Sequence, residues 1–219
     1  MEHNSPEDFN KATFENACFI SRSIRNPKLR IIRNPTHPTK LSKKCNIIVV
    51  KELCIFPYFE LLNKSSNPLL LNIANEIKPG GDVDIGIIKQ EEYLCCISSL
   101  YVGLRIAYDN ELYPIKNPFI LDNVIFFKDK PTVSAADILK SFYQGSVIVC
   151  PPLKLDKDEE IKKRIKILLE TAATAGFRNL VLNSFKEDPT ISQIFSHYLK
   201  ETDIAYYFEN IIFAETLPK

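Results

Sequence analysis

An excess of one charge is the first thing this sequence lacks. Its 28 basic and 27 acidic residues leave a formal net charge of +1. Such a balance gives no electrostatic footprint for nucleic acid, so no nucleic-acid partner is expected. Long apolar runs are missing too. None reaches the ~18 residues that a membrane span needs, so no span is expected. The start, Met1 to Asp8, is polar and acidic and lacks the basic and apolar regions of a secretory signal. Metal-ligand spacing is also absent. The three histidines lie far apart, and the six cysteines form no Cys-x-x-Cys pair. No carboxylate–histidine cluster is visible, and no metal or cofactor is expected. Cys18, Cys45, Cys54, Cys95, Cys96 and Cys150 lie mostly in apolar surroundings and read as free buried thiols of a reducing compartment. There is no internal repeat and no low-complexity tract.

What is present suits one globular domain and a monomer. Hydrophobic residues make up 45% of the chain, enough for a core of normal size. Residues 1–44 are expected to form an N-terminal helical extension and connector, and residues 45–219 the main domain. Apolar residues from Phe9 to Ile20 predict a helix over residues 6–25. Arg25 to Lys44 is basic, rich in Pro and Asn, and reads as irregular. Beyond it, strands alternate with helices. Strands are expected at Asn46–Val50, Pro68–Ile73, Asn123–Phe127, Ser146–Cys150, Asn179–Leu182 and Ala205–Ala214. Helices are expected at Phe56–Leu62, Glu91–Leu104, Asp158–Ala175 and Thr190–Leu199. The stripe Ile161, Ile165, Leu168, Leu169, Ala172 makes Asp158–Ala175 the clearest helix. The alternation predicts an α/β sandwich around a parallel or mixed sheet, with a ligand at the carboxyl ends of the strands.

Glycine is scarce, and half of the six glycines fall in one stretch. After Leu70-Leu71-Asn72-Ile73-Ala74-Asn75 come Pro79-Gly80-Gly81-Asp82-Val83-Asp84-Ile85-Gly86 and then Lys89-Gln90-Glu91-Glu92-Tyr93-Leu94. Gly80-Gly81 allows positive φ and close backbone approach. Such a loop either points N–H groups at a diphosphate or is an ordinary turn. Asp82, Asp84, Glu91 and Glu92 crowd four acids into eleven residues. Glu91 and Glu92 at a helix start also suit the positive end of the helix dipole. Like-charge repulsion among these acids should raise one carboxyl pKa, and Glu92 is the expected one.

Asn-x-Ala-Asn, Pro-Gly-Gly, a short spacer and Gln-Glu-Glu-x-Leu-Cys-x-x-Ser-x-Leu-Tyr together resemble the poly(ADP-ribose) glycohydrolase type of macrodomain, in its microbial branch. Asn72 to Tyr101 carries the resemblance, and a looser match runs from about Phe9 to Ala214. The resemblance implies a three-layer α/β/α macrodomain-like sandwich with a mixed central sheet and a helical N-terminal extension. It implies ADP-ribose as ligand and an ADP-ribosylated protein as substrate. Asn75 would hold the distal ribose hydroxyls, Gly80 and Gly81 would lie along the diphosphate, Gln90 and Glu91 would fix the ribose, and Glu92 would be the acid–base residue. Cleaving the C1″ bond builds oxocarbenium character, as in glycoside hydrolysis, so a carboxyl that protonates the leaving group and then activates water suits the chemistry.

Two departures narrow the reading. Asp82 stands where the family commonly has a third glycine. After Val181-Leu182 the family's Gly-x-Gly phosphate loop is replaced by Asn183-Ser184-Phe185-Lys186-Glu187-Asp188-Pro189. Phe185 either stacks on ribose or adenine or belongs to the core, and polymer processing is put in doubt. An acid-rich pocket suits a guanidinium, so Asp82 and Asp84 are candidates to orient an ADP-ribosylated arginine. Similar macrodomains occur among effectors of intracellular bacteria that remove single ADP-ribose units. A cytoplasmic location, or delivery into a host cell without a cleaved signal, is therefore expected. A non-catalytic ADP-ribose reader, a scaffold without ligand and a poly(ADP-ribose) glycohydrolase are the other readings.

Overall fold

The strand that carries the site is apolar on both of its faces. Leu69, Leu70 and Leu71 are wholly buried in β3 (Pro68–Ile73). Such a run belongs in the middle of a sheet covered by helices on either side. In the computed structural model, which describes residues 5–33, 36, 38–131, 139, 141–153, 157–183 and 188–215, β3 is the centre of a seven-stranded mixed sheet. The remaining strands are β1 (Lys28–Arg30), β2 (Asn46–Leu53), β4 (Phe119–Phe126), β5 (Tyr143–Cys150), β6 (Asn179–Asn183) and β7 (Asn210–Glu215). Their order across the sheet is β1-β4-β5-β3-β6-β7-β2. β5, β3, β6, β7 and β2 run parallel, and β4 is antiparallel to both β5 and β1.

Side chains alternate between two cores. Leu70, Val147, Val149, Val181 and Ile212 face α1 (Pro6–Ser21), α2 (Ile55–Asn63), α3 (Gln90–Ile97) and α4 (Leu100–Asp109). Leu69, Leu71, Ile148, Leu180 and Phe213 face α5 (Asp158–Thr174) and α6 (Pro189–Glu201). This is the three-layer α/β/α arrangement of a macrodomain-like fold. In β4 the alternation changes phase. Phe119 and Leu121 face the first core, and so do Val124 and Phe126. The register against β5 shifts between Leu121 and Val124, and Asn123 takes a positive φ of 61°. That is a β-bulge, which absorbs one extra residue so that both halves of the strand keep the same inner face.

Several expected elements differ; β4 starts at Phe119 rather than at Asn123, and β5 at Tyr143 rather than at Ser146. Lys28–Arg30, inside the stretch expected to be irregular, is an edge strand of the main sheet; Arg30 grips Asp122 of β4 through two hydrogen bonds of 2.7 and 2.6 Å. The single helix expected over Glu91–Leu104 is two helices. Ser98 leaves the helix to bridge Phe126, and the Ser99 hydroxyl accepts the Ile125 N–H at 3.0 Å. The strand expected from Ala205 begins at Asn210, because Asp203–Tyr207 is a 3₁₀ turn whose Ala205 and Tyr206 carbonyls accept Cys45 and Leu41 N–H groups. No helix among the described residues is long and apolar enough to cross a membrane. All six cysteines are free, four of them buried.

Candidate active site

β3 ends at Ile73, and the chain then crosses the carboxyl ends of the parallel strands before entering α3. Asn75 starts that crossing with a tight turn. Its side-chain oxygen accepts the N–H groups of Ile77 and Lys78, both at 2.9 Å. Gly80 and Gly81 follow with φ of 74° and 56°. These angles favour glycine, and space also demands it. A Cβ on Gly80 would lie 2.7 Å from the Tyr101 ring, and one on Gly81 would lie 2.2 Å from a carboxyl oxygen of Glu92. A short 3₁₀ turn over Val83–Ile85 then leads to Lys89 and the first turn of α3.

That first turn is buried, and each of its three polar side chains is placed by named partners. Gln90 braces the strand ends: its Oε1 accepts the Ile73 N–H at 2.9 Å, and its Nε2 donates to the Leu71 carbonyl and to Asn183 Oδ1. Glu91 Oε2 accepts from the Asn72 side chain at 3.2 Å and the Asn75 N–H at 3.0 Å. Glu92, three residues past the helix cap, accepts the Lys89 N–H on one oxygen and the Asp82 N–H on the other, each at 3.1 Å. The first of these is the returning half of a capping box. A carboxyl held by two backbone amides on opposite oxygens has one orientation.

These groups border a cleft of about 360 Å³ lined by Ile73, Ala74, Asn75, Asp82, Lys89, Gln90, Glu91, Glu92, Pro152 and Asn183. It lies at the carboxyl ends of β3, β5 and β6, where ligands of open α/β sheets sit. Asn75, Asp82, Gln90, Glu91 and Glu92 are thus brought together. Gly80 and Gly81 are buried and do not line the cleft. Asp84 is not brought into the cleft. It is exposed and points to Lys78, whose ammonium lies 2.7 Å away and holds the Asp84 carboxyl below its usual value. Asp82 is 4.0 Å from the same ammonium. Phe185 lies outside the described residues. Among the described residues no group of three or more His, Cys, Asp or Glu could hold a metal ion.

The carboxyl whose pKa is raised is Glu91, at about 8, where the sequence pointed to Glu92. Burial is the main cause, not the expected like-charge repulsion. The Asn72 and Asn75 donors oppose it, and the Glu92 charge adds to it. Asn72 and Asn183 are site residues that no motif role had singled out. A signal for both exists: each is a polar residue inside or ending an apolar, doubly covered strand, where an unpaired amide would be costly.

A mixed α/β/α sheet with a glycine loop and two adjacent carboxyls at its strand ends defines a macrodomain-type site. The model of the microbial-type PARG (poly(ADP-ribose) glycohydrolase) catalytic domain matches residues 7–135, more than half of the chain. The chain belongs to this family of glycosidic-bond hydrolases acting on ADP-ribose polymers or adducts. Among solved structures, poly(ADP-ribose) glycohydrolase from Thermomonospora curvata superposes with a TM-score of 0.72 at 18% identity, covering 94% of this chain and 92% of that one. The same enzyme bound to the inhibitor ADP-HPD gives 0.71 at 22% identity, covering 95% and 94%. Poly(ADP-ribose) glycohydrolase from Deinococcus radiodurans in complex with ADP-ribose gives 0.69 at 20% identity, covering 96% and 87%. These likenesses establish the fold. No curated protein matches the chain.

Proposed function

We propose that this protein releases ADP-ribose from modified proteins by hydrolysing the bond at C1″ of the terminal ribose, with single ADP-ribose units on arginine as its substrate. One observation carries the reading: Glu91 and Glu92 line the same cleft at the strand ends, one buried and raised in pKa, the other fixed by two backbone amides.

Glu92 is the acid–base residue. Its proton passes to the leaving atom as the C1″ bond breaks, and its carboxylate then takes a proton from the water that adds to C1″. Glu91, whose pKa burial raises to about 8, stays neutral at pH 7 and hydrogen-bonds the ribose. Gln90 and Asn183 hold the strand ends that frame the sugar. Asp82 is the acid that meets the guanidinium. Asp84 has no part in it, since Lys78 engages it outside the cleft.

The test is an assay of freed ADP-ribose from proteins modified on arginine, serine or glutamate, and from polymer. The wild type should act on the arginine linkage, Glu92→Gln should release nothing, and Asp82→Ala should lose the arginine substrate preferentially. Full arginine release by Asp82→Ala removes the arginine reading and leaves the hydrolase. Tight ADP-ribose binding with no release from any substrate overturns both and makes the protein a reader.

A further inference from the structure

The two edges of the sheet are unlike. β1 is three residues long and carries Lys28 and Arg30, and so short and charged an edge resists pairing. β2 is eight residues long, reads Asn-Ile-Ile-Val-Val-Lys-Glu-Leu and contains no proline. Among the described residues no strand pairs with its outer side. Ile47, Ile48 and Val49 are 48%, 38% and 65% exposed. α2 packs against β2 and adds Phe56, also exposed. A long apolar edge of this kind is a template for another strand.

The backbone of β2 sets which strand fits. β2 runs parallel to β7 with Ile48 across from Ile212, and the Asn46 N–H donates to the Glu209 carbonyl at 2.9 Å. Backbone groups alternate along a strand, so Asn46 and Ile48 turn theirs to β7, and Ile47 and Val49 turn theirs outward. Ile48 lies on the sheet face of Ile212, and Ile47 and Val49 lie on the face of Ile211 and Phe213. We propose that β2 is a dimerisation edge, occupied by β2 of a second copy that runs antiparallel about a two-fold axis at Ile48. Ile47 of each copy then exchanges its outward hydrogen bonds with Val49 of the other, and the two Ile48 side chains meet across the axis. The same arrangement brings Lys44, whose ammonium also reaches the Lys200 carbonyl, toward Glu52 of the second copy. Opposite charges thus flank the apolar centre on both sides. β1 cannot take this place. Its three residues would leave most of β2 unpaired, and a contact between β1 and β2 would run head to tail without closing. The two-fold pair closes. The cleft lies at the ends of β3, β5 and β6, and β7 separates β6 from the edge, so both clefts stay open, at opposite ends of the joint sheet. The inference stands apart from the proposed function.

The test is sedimentation of the full chain over about 1 to 100 μM, the range in which an interface of modest size forms and dissociates. The wild type should reach twice the mass of one chain. Val49→Lys places a charge in the strand pair, leaves the β7 ladder intact, and should weaken association roughly tenfold or more. Val49→Thr keeps the β-branched shape and should keep the dimer. Thermal melts confirm that each variant folds. Cysteine reads the register. The two residues at position 48 form a non-hydrogen-bonded pair whose Cα atoms lie within disulfide reach, so Ile48→Cys should oxidise to a covalent dimer. Ile47→Cys, which faces Val49, should not, and neither should the wild type with its native cysteines. A chain that stays monomeric throughout, a dimer that Val49→Lys leaves intact, or cross-linking of Ile47→Cys as fast as Ile48→Cys overturns the inference.

Discussion

The two faces of the sheet are built to different rules. Against α5 and α6 the core is almost entirely aliphatic and aromatic, with Thr171 and Ser146 as its few buried polar side chains. Against α1 to α4 the sheet meets Asn72, Gln90, Glu91, Glu92, Ser98 and Ser99, all buried. The contrast separates two tasks. The first face supplies apolar burial at roughly 25 cal/mol per Å² and holds the strand ends at fixed spacing. The second accepts desolvated carboxyls, which cost stability, at the one place where a perturbed acid is useful.

The contrast can be broken from either side. The largest effect belongs to Glu92→Gln, which should lower turnover by about 10²–10⁴-fold while ADP-ribose binding, followed by calorimetry, stays within a few-fold. A comparable change on the opposite face should act on stability alone. Leu169→Ala, at a wholly buried position of α5, should cost about 2–5 kcal/mol in a denaturant melt and leave turnover per folded molecule unchanged.

Glu91 sharpens the comparison through pH. Its pKa is near 8 in the fold against an ordinary glutamate value in the unfolded chain. Between the two, the folded protein binds the proton more tightly, so stability falls as pH rises through that window and levels off above about 8. Glu91→Gln removes this loss. The variant should match the wild type near pH 4 and exceed it at pH 9 by an amount on the order of a few kcal/mol, measured by urea unfolding. Hydrolysis by the wild type should decline over the same alkaline limb as Glu91 takes up its charge. The smallest effect is expected at the rim: Asp84→Asn breaks only an exposed pair with Lys78 and should change turnover less than twofold.

The same division governs what could be read from the sequence. β3, β5, β6 and α5 announce themselves because apolar runs and a helical stripe encode burial locally. Elements set by distant partners do not. Nothing in Ser98-Ser99 breaks a helix by propensity; the break comes from pairing with Ile125 and Phe126, some 26 residues on. β1 is three residues in a basic, proline-rich stretch, and only Asp122 shows why it is a strand. In the site, Gln90, Glu91 and Glu92 are legible because they are contiguous. Asp82 and Asp84 look equivalent two residues apart, yet the intervening 3₁₀ turn sends one to the cleft and the other to Lys78.

The bulge at Asn123 also fixes a count. Because the strand switches parity between Leu121 and Val124, its two halves share an inner face across two intervening residues, Asp122 and Asn123, where strict alternation allows one. Removing Asn123 would restore strict alternation, with Val124 and Phe126 still on the face of Leu121, whereas removing a residue elsewhere in β4 would turn one half of the strand over. Homologous chains that keep this sheet can therefore lose one residue at this point without compensation but not elsewhere in β4, so the bulge is where the length of the strand can change.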